Sequence, residues 1–454
     1  MGCRPAFLKG RTLATREGNL DAPTRHPLDW QSPDFFNRQS LETELERVFD
    51  ICHGCRRCFS LCNAFPTLFD AVDASATLEV DSVPKAVFAE VVDQCYLCDM
   101  CYMSKCPYVP PHPFNVDFPH LMLRAKAVRF KEEGTSLRNR ILSATDQVGS
   151  IAGIPVVSEV VNAVTASDVG RLVLEKTLGV ARDAPIPRYE SSTARKRLSR
   201  QSVPEMPIET VNGTSGKVVL YTTCYGNRNL PAMVEDLAAV FRHNGITVQL
   251  ADSEQCCGMP KLELGDLDAV ARAKDANVPE LAKWVAEGWD IVAPVPSCVL
   301  MFKQELPLMY PDDAQVQAVG RAFFDPFNYL YLRHKGGKFR TDFATSLGKI
   351  AYHVPCHLRV QNIGLKTRDI LQLVPGTTVV PIERCSGHDG TYGVKNEFRA
   401  ASVKIAMPVA EQVESSGADH FCSDCPMAGA QVAGLANRSD HPHPIELLRR
   451  AYGI

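Results

Sequence analysis

The spacing of apolar residues changes twice along this chain, and each change marks a different kind of structure. Leu41–Asp50, LETELERVFD, has its apolar positions at helical spacing and runs straight into the first group of cysteines. From Asp117 to about Gly179 the pattern stays mainly helical, with Leu121, Leu123, Val128 and Phe130 interleaved with Arg124, Lys126, Arg129 and Lys131. Residues 183–215 are polar and proline-rich and read as an interdomain linker. Beyond them the period shortens. The apolar run GKVVLY is followed by NLPAMVEDLAAVFRHNG at helical spacing and then by ITVQLA, a strand–helix–strand alternation.

That alternation occurs twice. GKVVLYTTC, ending at Cys224, matches GKIAYHVPC, ending at Cys356, with the glycine eight residues before the cysteine in both. GITVQLADSEQCCG parallels GTTVVPIERCSG, and Pro279 and Pro408 each precede an aspartate, Asp290 and Asp419, by eleven residues. Two copies of one α/β unit are expected, each running strand, helix, strand, helix, strand. Parallel strands follow from the alternation, and the cysteines then fall at strand ends where loops converge.

The composition fits this picture. At 454 residues, 45% hydrophobic and 22% charged, the chain has room for two or three ordinary globular domains. A formal net charge of -3 gives no basis for a nucleic-acid partner. The first twenty residues contain no continuous apolar core of a signal, and no stretch of about 18 apolar residues occurs anywhere, so a cytoplasmic protein is expected. Residues 1 to about 40 are polar and rich in Pro, Arg and Asp, and read as an arm over a neighbouring surface.

Cysteines carry the chemistry. Of seventeen, sixteen fall into four groups of four, and Cys3 stands apart as a plain surface thiol. Cys52, Cys55, Cys58 and Cys62 are spaced C-x2-C-x2-C-x3-C, and Cys95, Cys98, Cys101 and Cys106 are spaced C-x2-C-x2-C-x4-C-P. A tight CxxCxxC turn directs three thiolates at one cube while the fourth cysteine reaches the other cube. Two [4Fe–4S] clusters are expected, one on Cys52, Cys55, Cys58 and Cys106, the other on Cys95, Cys98, Cys101 and Cys62. The competing reading is a pair of structural zinc sites, but zinc ribbons use separated CxxC pairs, without the third cysteine at the same spacing.

Each repeated unit holds four more cysteines. The first has Cys224, the adjacent Cys256 and Cys257 followed by Gly258, and Cys298; the second has Cys356, Cys385, Cys422 and Cys425. Adjacent thiolates fit neighbouring irons of an open cluster better than one tetrahedral ion, and a following glycine allows close backbone approach. A redox cluster or redox-active thiol site, a zinc site and unmetallated core cysteines are the readings these residues leave open.

From C…CCG onward the chain resembles the tandem CCG-type cysteine-rich modules of heterodisulfide reductases, glycolate oxidase iron–sulfur subunits and the C subunit of anaerobic glycerol-3-phosphate dehydrogenase. The paired cysteine runs belong to the same architecture, so the resemblance covers roughly residues 45–454. It implies a helical ferredoxin-type domain with two cubane clusters at 41–116, a helical connector at 117–182, the linker, and two tandem α/β modules at 216–335 and 336–454. The fullest pattern in that family is C…CCG…CxxC, which implies a noncubane [4Fe–4S] cluster. Here Val295 stands for the first cysteine of CxxC in the first copy, and Ser386 for the second of the CC pair in the second. One or two further clusters, or zinc, are the cofactors expected there, and the second module, with its Cys422–Cys425 pair, is the expected occupant.

His353, His357, His388 and His420 crowd the second module. His388 with Asp389 is the first choice for a catalytic, proton-handling pair. The functional expectation is an iron–sulfur electron-transfer subunit of an oxidoreductase, working between a partner flavoprotein dehydrogenase or other redox protein and a quinone or another acceptor. No GxGxxG unit stands between a strand and a helix, so a flavin or nicotinamide site is not expected on this chain. Its alternatives are a heterodisulfide- or peroxide-type reductase acting at the modules themselves, and a zinc-bound scaffold. The basic, amphipathic pattern after Asp117 also suits peripheral contact with a membrane.

Overall fold

The computed structural model describes residues 22–201 and 207–454. Cys3 and the first half of the arm lie outside the described residues. The N-terminal part is helical: Arg38–Cys55, Ala64–Asp73, Lys85–Gln94, Met100–Ser104 and Phe118–Glu133. Local chemistry sets these limits. The Asn37 side chain caps the first helix by accepting from the Ser40 amide, and Arg56, at φ 52°, ends it in the left-handed region. Asp117 accepts from the His120 amide to open the fifth, and Gly134 closes it.

The chain then forms two parallel sheets. Strands β1 (Lys217–Leu220), β2 (Thr247–Leu250), β3 (Asp290–Val292) and β4 (Phe323–Phe324) lie in the order β2-β1-β3-β4; β5 (Lys349–His353), β6 (Thr378–Ile382) and β7 (His420–Ser423) lie in the order β6-β5-β7. The strand order 2-1-3 therefore occurs twice, with helices between the strands, as the repeat predicts. The matched glycines Gly216 and Gly348 have φ of +81° and +63°, where a side chain would collide with the Glu209 carbonyl and the Asp419 carboxylate respectively. The matched aspartates explain themselves too. Asp290 accepts from the amide and hydroxyl of Ser215, just before β1, and Asp419 accepts from the amide of Lys349 at the start of β5. In each copy the third strand thus anchors the start of the central one.

The basic pattern after Asp117 is divided: Lys126 turns inward, Arg124 and Arg129 lie half-buried at the edge, and Lys131 is exposed. Leu121, Leu123, Val128 and Lys126 are buried, Arg124 donates to the Phe35 carbonyl at 2.8 Å, and Arg129 pairs with Asp93. Exposed apolar side chains lie further on, at Ile151, Val156, Val160, Val169 and Val173. No single helix among the described residues is long and apolar enough to cross a membrane. The stretch read as a linker includes a short helix, Ala194–Leu198, whose Arg195 reaches the Ala251 and Asp252 carbonyls and Glu254.

The arm ties the helical part to the first sheet. Leu28 donates its amide to the Leu308 carbonyl at 2.8 Å, and Trp30 donates its indole N–H to Met309 at 3.2 Å. Arg25 is buried among Asp99 (2.7 Å), Asp117 (2.8 Å) and Glu305 (3.5 Å). His120 stands 3.3 Å from both Asp117 and Glu305. Burial and Arg25 push its pKa down, but Asp117 and Glu305 outweigh them and raise it. Burial opposes ionisation of Asp117, but His120 and Arg25 prevail and bring it to about 2.

Removing the cation leaves three carboxylates facing one another away from water, so Arg25→Ala should cost about 3–5 kcal/mol. Hydrogen exchange at the Leu28 and Trp30 amides should accelerate first, because that is where the arm lets go. The docking depends on pH in both directions. His120, raised on folding, contributes fully below its unfolded value near 6.5 and loses the contribution as pH rises through its folded value. Asp117 contributes above its unfolded value of 3.8 and loses the contribution as pH falls through about 2. Protection of these amides should therefore be greatest between about pH 4 and 6.5; a flat profile from pH 4 to 9 would rule out the His120 contribution.

Candidate iron–sulfur and thiolate sites

The first cysteine run sits where a helix stops. Cys52 and Cys55 occupy its last turn, and the left-handed Arg56 swings the chain so that Cys58 and Cys62 follow in a turn. The second run begins at Cys95, the cap of helix Lys85–Gln94. Leu97 and Asp99 have φ of +54° and +59°, a conformation that costs energy for residues with side chains. Asp99 is held there by Arg25. The backbone folds over, and a short helix carries Cys101.

These turns sort the thiols into two sets. Burial raises the Cys52 thiol, and Cys106, Cys58 and Cys55 raise it further; burial takes Cys58 to about 12, again with Cys106 and Cys55 adding. Cys62 is raised by burial, then by Cys95 and Cys98. Cys101 is raised by burial, then by Cys58, Cys98, Cys95 and Cys62. The fourth cysteine of each run thus adjoins the other run's three, and Cys58 and Cys101 bring the sets next to each other.

Spacing bears on the occupant. A tetrahedral ion with Zn–S bonds of about 2.3 Å draws sulfurs to about 3.8 Å from one another. Among the described residues, a trio of His, Cys, Asp or Glu ligand atoms lying mutually within 4.8 Å occurs at Cys356, Cys385 and Asp389. The eight N-terminal thiols are grouped more loosely, and all-thiolate sets of this kind fit a four-iron cube.

In the first sheet the cysteines stand at the carboxyl ends of β1, β2 and β3, on both sides of the central strand, where parallel sheets place their ligands. Their thiols interact in succession, Cys224 with Cys256, Cys256 with Cys257, and Cys257 with Cys298. Gly258, at φ +94°, takes the sharp turn after the pair. Asp146 accepts the Cys256 amide, and Thr145 lies beside Cys224 and Cys256. Sequence reasoning missed both residues, which come from the helical connector 110 positions away.

The second sheet is arranged differently. Cys356 opens the short helix after β5, and Cys385 follows β6. The Cys385 sulfur accepts the Gly387 amide at 3.3 Å, donates to Asp389 at 3.4 Å, and lies 3.5 Å from the Tyr96 hydroxyl. Cys356, foremost, then Tyr96, Gly387 and Asp389 bring the Cys385 thiol down to about 6 against the effect of burial. Asp389 is pushed up by burial, then by Cys385 and Cys98. The Cys356 thiol also interacts with Cys98 of the second N-terminal set. The helical part and the second sheet therefore meet thiol to thiol.

Two expected members are elsewhere. Cys422 lies within β7, fully buried, and Asp424 is the one ionisable group that adds to burial in raising its thiol. Cys425 is raised to about 11 by burial, with Asp424 and Cys298 of the first copy adding. Val295, the counterpart of Cys422, is buried as well, so an apolar side chain suits that position in both copies. The proposed proton pair is also divided. Asp389 touches Cys385, whereas both ring nitrogens of His388 are buried without a partner, and burial, then Arg399, lowers its pKa to about 4. His353 is a structural link between Ser423 and the Arg384 carbonyl. His357 joins Ser297 at 2.8 Å to the Leu97 carbonyl at 3.4 Å, and so stitches three parts of the chain together.

A cavity of about 400 Å³ opens beside this second site, lined by Tyr96, Lys126, Glu263, Asp389, Tyr392 and Lys395 among others. Lys126 donates to the Cys95 carbonyl. Burial raises Glu263 to about 7 despite Lys126 and Lys395, and burial, with Lys126 and Arg138, lowers Lys395 to about 8.

The profile of the cysteine-rich domain named CCG matches residues 218–303 and 350–432, one stretch on each sheet. One of the subunits of the anaerobic glycerol-3-phosphate dehydrogenase of Escherichia coli (strain K12) is 28% identical over 342 residues, covering 75% of this chain and 83% of that protein. One of the subunits of the fumarate reductase (CoM/CoB) of Methanothermobacter marburgensis is 27% identical over 231 residues, covering 50% and 43%. Lactate utilization protein A of Bacillus pumilus is 26% identical over 238 residues, covering 50% and 94%. Duplicated strand order, cysteines at the strand ends and both profile matches coincide, and the chain carries two copies of the CCG cysteine-rich domain.

Proposed function

We propose that this chain is the iron–sulfur subunit of an oxidoreductase, passing electrons between a partner flavoprotein dehydrogenase or other redox protein and a quinone or other acceptor. The observation that carries the reading is the continuity of the thiols. Cys52, Cys55, Cys58 and Cys106 adjoin Cys62, Cys95, Cys98 and Cys101 through Cys58 and Cys101, and the second set meets Cys356 through Cys98. The similarity to subunits of two named oxidoreductases supports the same reading. The two N-terminal sets would hold [4Fe–4S] clusters, which supply one-electron carriers when bound. The row of Cys224, Cys256, Cys257 and Cys298 suits a further, open cluster.

The protein's own contribution is to bury these thiols and to fix their spacing. A buried thiol with its pKa raised to 11 or 12, as at Cys95 and Cys58, stays protonated until a cation displaces the proton, so loading should release protons and weaken at low pH. Lys126 stands against the Cys95 carbonyl, and in its charged form it favours the anionic form of the set beside it, although burial lowers its pKa. A second reading, a reductase acting at the modules themselves, is favoured by the cavity beside Asp389 and Tyr96, since a pure relay needs no such space.

Cys106→Ser should abolish the paramagnetic signal of the cluster on Cys52, Cys55 and Cys58 and spare the other, although Cys106 belongs to the second run. Loss of the other signal alone would refute the crosswise assignment. Assayed by itself, the purified chain should show no dehydrogenase activity with glycerol 3-phosphate, glycolate or lactate, and turnover should appear only when a dehydrogenase partner is added. Turnover of these substrates by the chain alone would overturn the electron-transfer reading, while reduction of a disulfide by the chain with an artificial donor would favour the second one.

A further inference from the structure

The two CCG copies differ in the arrangement of their ligands, and the difference is chemical. In the first copy four thiols follow one another in a row, Cys224, Cys256, Cys257, Cys298, a layout that spans several metal atoms. In the second, two thiols and a carboxylate close on a single point: the ligand atoms of Cys356, Cys385 and Asp389 all lie within 4.8 Å of one another. The second module's own groups that would extend this trio toward a multi-iron cluster are absent from it, and the further thiol beside it, Cys98, belongs to the second N-terminal set. Ser386 replaces a cysteine and its carbonyl accepts from Gln431, Cys422 is enclosed in β7, and Cys425 is near Cys298.

We infer that Cys356, Cys385 and Asp389 bind one divalent transition-metal ion, in place of the multi-iron cluster that the CCG pattern implies. Two thiolates and a carboxylate are a donor set for zinc or ferrous iron, and tetrahedral coordination needs donors only slightly closer together than these stand. The trio is held for the purpose. Cys356 begins a helix directly after β5, and Asp389 takes a φ of +37°, rare for a residue with a side chain, to bring its carboxylate to Cys385. The Gly387 amide and the Tyr96 hydroxyl support the Cys385 sulfur from outside the trio. Asp389 and Tyr96 line the 400 Å³ cavity, so the carboxylate side of the trio borders a space that admits a small molecule. Three protein ligands with an open fourth position are the mark of a reactive metal site, where structural sites are closed.

This inference deepens the proposed function at the second module and relies on it only for the cubane clusters, so the two are separable in one set of samples. Full-length protein, Cys385→Ser, Asp389→Asn and Cys422→Ser are purified anaerobically, and iron, zinc and acid-labile sulfide are counted alongside the paramagnetic signals of the reduced N-terminal clusters. Cys385→Ser should lose about one metal ion per chain with no loss of sulfide, Asp389→Asn should give that ion up to a weaker chelator, and Cys422→Ser should keep it. Loss of about four irons together with as many sulfides in Cys385→Ser means a cluster and overturns the inference. Unchanged metal content in Cys385→Ser overturns it as well. A wild-type sample lacking the cubane signals but still containing the single ion defeats the electron-transfer reading alone. Should Cys385→Ser fail to fold, demetallated wild type treated with zinc alone gives the answer: Cys356 and Cys385 should become protected from iodoacetamide, and equal labelling with and without zinc rejects the site.

Discussion

Withdrawal of thiols from water is the constraint around which this chain is built. A thiolate buried in an apolar surrounding is costly, and at Cys52, Cys62, Cys101 and Cys422 burial is the foremost reason the proton is held. Crowding thiols together adds to that cost, since each would-be anion opposes its neighbours. Such a set is unfavourable as bare anions and favourable once cations arrive, which is what makes it a metal-accepting scaffold. The exceptions, Cys256 and Cys385, have another thiol donating to them, and each heads a group in which a charge can be shared.

The two sheets solve the same problem with different residues. Both use strand order 2-1-3, both carry cysteines past the strand ends, and both brace the first strand with an aspartate from the third. The first copy surrounds its thiols with polar groups from the connector, Thr145 and Asp146. The second takes Tyr96 and Cys98 from the turn that precedes the Met100–Ser104 helix. Duplication supplied two equivalent ledges, and the neighbours each ledge met made them chemically unlike.

Much of this is legible in the sequence because it is local or periodic. The repeat, the strand–helix alternation, the matched glycines and the grouping of cysteines all follow from spacing. What the sequence hides is contact across long separations. Tyr96 lies inside the second cysteine run, yet its hydroxyl meets Cys385, 289 residues later. The basic pattern after Asp117 has the look of a solvated face, yet Lys126 is buried and Arg124 and Arg129 are drawn to Phe35, Asp34 and Asp93, while Lys131 stays exposed. Cys422 has the spacing of a ligand, but the strand that carries it turns its side chain into the core, an outcome set by the two-residue period of a strand and the neighbours of β7. His388 sits beside Asp389 in sequence, yet its ring nitrogens make no hydrogen bond to the carboxylate, which turns to Cys385 instead.

The arm has a consequence for the order in which the molecule can be made. Arg25 leaves the ribosome among the first residues, and its partner Glu305 comes 280 positions later, with Leu308 and Met309 later still. At typical rates of about 5–20 residues per second, the helical part waits some tens of seconds for the surface that receives its arm. During that interval Arg25 already has Asp99 and Asp117, but it lacks Glu305, and Leu28 and Trp30 have no carbonyls to receive them. Closure of the arm is thus tied to synthesis of the first sheet's residues, and a nascent chain halted before about residue 310 would keep Arg25 at the turn of the second run while Leu28 and Trp30 stayed undocked.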